Sequence, residues 1–239
     1  MLPPQQTRKY AANGDWPQET ALAKAAANRQ GTATDVLCLK ITLRHIKPPI
    51  WRRILVPGCM TLADLHLAIQ AAMGWQNGHL HAFDINGEQY GDPSMMDDVA
   101  SERRLKLNTL ANSGVTRFTY TYDFGDDWEH EVLIEKAPSA HSATAFPACV
   151  GGKRNCPPED CGGPWGYADL LPILADPANP QYKEMQEWIG GAFDPEAFSV
   201  EDADASLAAF FGRKEPAADA ESRAPAPKPA RKRKAVPSP

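Results

Sequence analysis

No stretch of the 239-residue chain approaches the roughly 18 consecutive apolar residues of a membrane-spanning helix, and the opening Met1-Leu2-Pro3-Pro4-Gln5-Gln6 has no apolar signal core. The expectation is a cytosolic protein with no membrane partner. Cysteine is sparse and odd in number: Cys38, Cys59, Cys149, Cys156 and Cys161. Without a secretion signal, that argues against a disulfide scaffold and leaves free thiols or metal ligands. The chain has no H-E-x-x-H, G-x-x-x-x-G-K-[ST] or G-x-G-x-x-G, no nucleophile elbow and no kinase set. Zincin-type proteolysis, nucleotide-phosphate binding and serine hydrolysis therefore have no support; Ser113 and Ser142 sit in plain polar stretches. No internal repeat of fixed period is visible.

What is present is a strong charge asymmetry. The net charge is -5, yet residues 213 to 239 carry 8 Lys/Arg against 3 Asp/Glu, which leaves -10 on residues 1 to 212. An acidic body repels phosphates at long range, so the basic tail ending in Arg231-Lys232-Arg233-Lys234 is the expected place for nonspecific contact with nucleic acid. Its bland alternative is a solvated charge run. Trp51-Arg52-Arg53 is the only basic-aromatic cluster in the body, and one doublet is thin evidence for a phosphate contact.

Three regions follow from composition. Residues 1–34, rich in Ala, Gln and Asn with a short helix expected from Gln18 to Arg29, form a loosely attached arm. Residues 35–212 form the packed domain. Residues 213–239, with 6 Pro and 7 Ala, read as a disordered tail. Within the domain, Val36 to Leu43 and Ile50 to Val56 read as strands. Thr61 and Asp64 open a capping box, and Leu62, Leu65, Ile69 and Met73 keep helical spacing up to Gly74. His79 to Ile85 is a short strand candidate. Arg117 to Phe124 and Trp128 to Lys136 read as a β-hairpin about Gly125-Asp126-Asp127. After the Pro/Gly-rich stretch Cys156 to Gly166, helices are expected over Tyr167 to Leu174, Pro180 to Ile189 and Val200 to Phe211. Strands first and helices last predict an α+β fold, an antiparallel or mixed β-sheet with packed helices in a single domain plus tails.

Ile50-Trp51-Arg52-Arg53, Thr61 to His66, Met73-Gly74-Trp75, His79 to Phe83, Tyr122 to His130 and Cys156 to Tyr167 occur in this order. The ordered series resembles the Ri-plasmid ORF-3-like family, over about residues 35 to 205. The resemblance implies an α+β fold and, in some relatives, an association with plasmids or mobile elements; it implies no activity. Neither a serine-recombinase nor a tyrosine-recombinase constellation is present.

The candidate chemistry gathers in three stretches. His79 and His81, two apart on the expected strand, would project from one face and offer two nitrogens to zinc or another divalent transition metal. Asp123, Asp126, Asp127 and His130 surround the hairpin turn; the aspartates are candidate catalytic groups and His130 a third candidate ligand. The bland reading is that these aspartates satisfy the turn's own backbone donors. Glu159, Asp160, Trp165 and Tyr167, with Trp128, are candidates to line a binding cleft; the alternative for Trp165 is a plug in the core. Cys149, Cys156 and Cys161 are off the paired C-x2-C spacing of structural zinc, and a fourth ligand would be His141 or a distant histidine. Five tryptophans, Trp51, Trp75, Trp128, Trp165 and Trp188, more often mean packing than base stacking.

Two functions from different classes fit. One is a binding module with a His/Asp-lined cleft for a protein or nucleic acid. The other is a metal-dependent hydrolase or nuclease in which His79, His81 and His130 hold the metal. Both require that the three stretches meet in one pocket.

Overall fold

A computed structural model describes residues 36–136 and 146–212. The expected N-terminal arm, the basic tail and His141 lie outside the described residues. The fold is α+β in a single domain, with a mixed sheet of eight strands, β1 (Val36–Leu43), β2 (Trp51–Pro57), β3 (His81–Ile85), β4 (Glu88–Gly91), β5 (Ala100–Ser101), β6 (Arg117–Tyr122), β7 (Trp128–Glu135) and β8 (Ala148–Lys153). Their spatial order is β5-β4-β3-β6-β7-β1-β2-β8, antiparallel throughout except for the short parallel pair β4/β5. The described helices are α1 (Leu62–Met73), α2 (Leu107–Asn112), α3 (Gly163–Ala175), α4 (Tyr182–Ile189) and α5 (Val200–Phe210). None is long and apolar enough to cross a membrane.

Register decides which side chains share a face, because directly opposed residues of an antiparallel pair point the same way. His81 opposes Tyr122, which opposes Trp128; Phe83 opposes Tyr120, which opposes His130, which opposes Leu43. This row is the buried face, and α1 covers part of it. The alternate row, Asp84, Thr119, Glu131 and Thr42, is polar and faces out. The same parity splits the basic doublet of β2. Arg53 lies outward beside Trp51 and pairs with Glu135 (Nε–Oε2 2.7 Å). Arg52 turns inward, 2% exposed, and donates to the carbonyls of Ala72 (3.0 Å), Trp51 (2.9 Å) and Lys153 (3.2 Å) while its guanidinium covers the Phe198 ring. Arg52 therefore braces β2, β8 and the end of α1, and is not a phosphate contact.

Helix α1 follows its sequence signals. Thr61 Oγ1 accepts from the Asp64 amide, the Asp64 carboxylate accepts from the Thr61 amide, and Gly74 closes the helix at φ 92°. Leu62, Leu65, Ile69 and Met73 are buried, and so are His66 and Gln70, one turn apart on the same side.

Several elements differ from expectation, among them β5, α2 and β8, which the sequence reading did not include. The strand expected to open at His79 opens at His81, since Asn77 takes φ 55° and residues 75–80 form a loop. The turn Asn86-Gly87, with φ 55° and 85°, pairs β3 with β4, a hairpin the sequence reading stopped short of. Helix α3 starts at Gly163 and not at Tyr167, so Trp165 lies in its first turn and is 80% exposed; it does not plug the core.

Candidate functional site

The loop 75–80, the β6–β7 turn and residues 156–162 converge at one end of the buried face. Trp75 Nε1 donates to the Pro157 carbonyl (3.0 Å), the Gln76 amide to Glu159 Oε1 (2.9 Å), the Gly78 amide to the Tyr122 hydroxyl (2.9 Å) and the Asp123 amide to the Leu80 carbonyl (2.9 Å). Tyr122 donates in turn to Glu159 Oε1 at 2.7 Å. Burial and this carboxylate push the phenol far above its ordinary range. The third segment is locked to the turn at Gly162, whose amide donates to Asp126 Oδ2 at 3.1 Å. Gly163, at φ 68°, sits so close that a Cβ there would lie 2.1 Å from the Asp126 carbonyl oxygen.

This scaffold places His79 between two carboxylates. Its Nδ1 is 3.6 Å from Asp123 Oδ2 and its Nε2 is 3.3 Å from Asp160 Oδ1. One ligand atom from each of the three residues lies within 4.8 Å of the others. Asp123 and Asp160 occupy left-handed backbone, φ 57° and 58°, which aspartate tolerates better than most residues. Asp123 is divided in its duties: Oδ1 accepts from the Gly125 (2.9 Å) and Asp126 (3.3 Å) amides, so Oδ2 is held toward His79. Such orientation of a carboxylate through its second oxygen is what metal ligands typically show. A tetrahedral ion with bonds of about 2.1 Å needs ligand atoms roughly 3.4 Å apart, so separations of up to 4.8 Å would have to close around a single nitrogen of His79.

The other sequence candidates are placed differently. His81 lies on the buried face with Nε2 2.7 Å from Glu102 Oε2, and its ring is stacked on His66. His130 is fully buried against Trp75 and Tyr120, with Nδ1 3.2 Å from the Tyr120 carbonyl; burial pushes it down to about 4. Among the described residues, no group of three close enough to share one ion includes His81 or His130. Asp126 serves Gly162, and Asp127 (φ 55°) completes the turn through its amide to the Asp123 carbonyl. Glu159 and Asp160 reach the cleft and Trp165 stands exposed in α3, whereas Trp128 and Tyr167 are 1% exposed core residues. They are buried because parity and the first turns of α3 aim them inward. Cys149 and Cys156 are buried and Cys161 partly so, none is in a disulfide, and no cysteine joins a candidate metal group among the described residues. Burial raises all three thiols, Cys161 to about 12.

Sequence reasoning missed His66, Asn77 and Glu102. Asn77 Oδ1 accepts from His66 Nε2 (2.6 Å), and His66 Nδ1 accepts from the Tyr120 hydroxyl (2.7 Å), whose oxygen accepts from Gln70 Nε2 (3.1 Å). Both ring nitrogens are thus committed, and burial holds His66 neutral, well below its ordinary range. A histidine and a glutamine one turn apart on an otherwise apolar helix face are the signal that could have found this network.

Residues 35–202 match the plasmid pRiA4b ORF-3-like protein family. The chain is 41% identical over 160 residues to the uncharacterized protein y4hQ of Sinorhizobium fredii (strain NBRC 101917 / NGR234), covering 66% of this chain and 82% of that one. It is also similar to the crystal structure of MM3350 from Methanosarcina mazei Go1, a protein of unknown function. That likeness has a TM-score of 0.65 and 40% identity over 70% of this chain and 96% of the other. The segments that build the cleft all fall inside the matched region, and the chain belongs to the plasmid pRiA4b ORF-3-like protein family.

Proposed function

We propose that the protein is a binding module whose working surface is the cleft between loop 75–80, the β6–β7 turn and residues 156–162, and that His79, Asp123 and Asp160 hold a divalent transition metal such as zinc there. The observation that carries this reading is the donor geometry: one imidazole and two carboxylates from three separate stretches, with ligand atoms within 4.8 Å. Glu159, bonded to the Gln76 amide and the Tyr122 hydroxyl, belongs to the same loop as Asp160. The partner is a protein or nucleic acid, and its link to mobile elements rests on the family resemblance alone.

The test is elemental analysis of freshly purified protein followed by zinc titration in a calorimeter. One equivalent should bind, with affinity lost by at least tenfold in His79→Ala and Asp123→Asn while circular dichroism is unchanged. Absence of binding to the folded protein overturns the metal assignment.

A second reading, a metal-dependent hydrolase or nuclease, is favoured by the openness of the same site. Three protein ligands leave coordination positions vacant, as in catalytic rather than structural zinc, and the side chain of Asp160 is 51% exposed. A bound ion would supply Lewis-acid polarisation and a more acidic water. Asp123 would hold its orientation through its two amide donors, and His79 would present one nitrogen. Zinc- or manganese-dependent cleavage of bis-p-nitrophenyl phosphate, lost in His79→Ala, supports this reading; no cleavage by metal-loaded protein leaves the binding module.

A further inference from the structure

A cavity of about 420 Å³ lies between the N-terminal half of α1 and residues 92–103, within the size range of small-ligand pockets, roughly 300–1,000 Å³. Its charged wall is acidic. Asp64, Asp92 and Glu102 line it, and Arg103 is the one lysine or arginine that does. That guanidinium lies 3.4 Å from Asp92 Oδ2 and its side chain is 62% exposed, so its charge is matched by Asp92 at the rim. The start of α1 has no amide to offer an anion either. The amides of Leu62, Ala63, Asp64 and Leu65 donate to the Leu105 carbonyl, the Glu102 carbonyl, Thr61 Oγ1 and the Thr61 carbonyl.

Glu102 supplies an acceptor. Its backbone is pinned between β4 and α1, the amide donating to the Gly91 carbonyl (3.0 Å) and the carbonyl accepting from the Ala63 amide (3.4 Å). Its side chain is 5% exposed. Oε2 lies 2.7 Å from His81 Nε2, whereas Oε1 has no hydrogen-bond partner among the described residues and is not sealed in as a buried orphan. A nearly buried carboxylate oxygen left open to a cavity favours a charged donor. The rest of the wall is largely apolar, with Leu67, Leu80, Met95 and Met96. Leu80 and Met95 are 40% and 65% exposed, so this apolar surface meets whatever enters. A bare metal ion does not suit it: among the described residues, no group of ligand atoms close enough to share one includes Asp64, Asp92 or Glu102.

We infer that this cavity binds a small organic cation, a primary alkylammonium that donates to Glu102 Oε1 and lays its alkyl chain along Leu67, Met95 and Met96. Asp64 and Asp92, already hydrogen-bonded to Thr61 and Ser94, contribute negative potential and not direct contacts. His79 also lines this cavity, so a zinc ion held there opposes the ammonium by like charge. Metal-free protein therefore keeps the two assignments apart.

The probe is n-hexylamine, added to the full chain in EDTA at pH 8, where an alkylamine with a pKa of about 10.4 is protonated. Calorimetry reads the affinity, and NMR of the methionine methyl groups reads the place. One equivalent should bind and shift the Met95 and Met96 signals, and n-hexanol and hexanoate should bind at least tenfold more weakly. Met95→Lys, a change at an exposed position, sets a further cation at the mouth and should weaken hexylamine binding at least tenfold. Glu102→Gln, which removes the acceptor's charge, should do the same. No binding of hexylamine, or equal binding of hexanol, overturns the site. Attraction of hexylamine to the acidic body that leaves both methionine signals unmoved overturns its placement. An affinity unchanged in Met95→Lys overturns the site even if Glu102→Gln fails to fold, and one unchanged in folded Glu102→Gln overturns the role of that carboxylate.

Discussion

The imidazole of His66 lies flat on that of His81, yet the two rings hang from different networks: His66 from Tyr120 and Asn77, His81 from Glu102. Stacking thus ties α1 to β3 and, through Glu102, to the segment after β5. Replacing His66 by Phe keeps a flat ring but leaves the buried Tyr120 hydroxyl proton without its acceptor, whereas the exposed Asn77 amide can turn to water. An unsatisfied buried polar group costs about 1–3 kcal/mol, so His66→Phe should lower the free energy of unfolding by about 1–3 kcal/mol. Urea denaturation at pH 7 measures it, and a variant as stable as the parent removes the network from the list of stabilising features.

Acid should weaken the fold in a defined window. His130 has its folded value pushed down to about 4 from 6.5, first by burial, and His66 is lowered in the same direction. For a histidine depressed in the native state, the unfolded chain binds the proton more tightly, so stability is complete above 6.5 and is lost as pH falls toward the folded value. His130 alone accounts for roughly 3 kcal/mol between pH 6.5 and 4. Carboxylates such as Glu135, held low by Arg53, act below this window, since their unfolded value is 4.5. Urea midpoints taken from pH 7 to 4.5 should fall steadily, and more shallowly in His130→Gln. A flat profile over that range contradicts the burial of both rings.

Gly163 sets the distance between the turn and the third segment. Adding a methyl group at a site with φ 68° and a carbonyl oxygen 2.1 Å away forces the start of α3 from Asp126 and carries Asp160 with it. Gly163→Ala should cost about 1–3 kcal/mol from the strained backbone conformation. It should also weaken zinc binding by tenfold or more. Thermal unfolding and calorimetry together check it; lost stability with metal affinity intact would separate the junction from the site.

If the basic tail is the contact for nucleic acid, the attraction is electrostatic and must fade with salt. Binding of a 30-base-pair duplex should show a steep decline of log affinity against log salt, with a slope of about 0.9 per phosphate neutralised. Deletion of residues 213–239, which removes a net charge of +5, should abolish it. Equal binding by the deleted chain would move the contact to the acidic body.

Much of the fold is legible in the sequence because its signals are local. The capping box at Thr61 and the glycine at 74 delimit α1, and alternation from Phe118 to Tyr122 finds the inner face of β6. Elements β5 and α2, of two and six residues, carry no such pattern, because neighbours and not propensity hold them: β5 exists by its pairing with Tyr90 and Gly91.

The site divides along the same line. The sequence by itself determined that histidines and acids concentrate in three stretches, that each stretch ends in a turn or rigid loop, and that the tail is basic. Only the tertiary structure decided which of them meet. Alternation tells which residues share a face but not which face another element will cover, so His130 and Trp128 went to the core while Arg53 went to the surface. His79 left the strand because Asn77 turned the chain, and met Asp123 and Asp160 instead of following His81. Glu102, in a segment with no readable pattern, became the partner of His81 because the strand order carries β5 across β4 to its side. Contacts between residues distant in the chain are set by packing and hydrogen bonding across elements, and no local propensity encodes them.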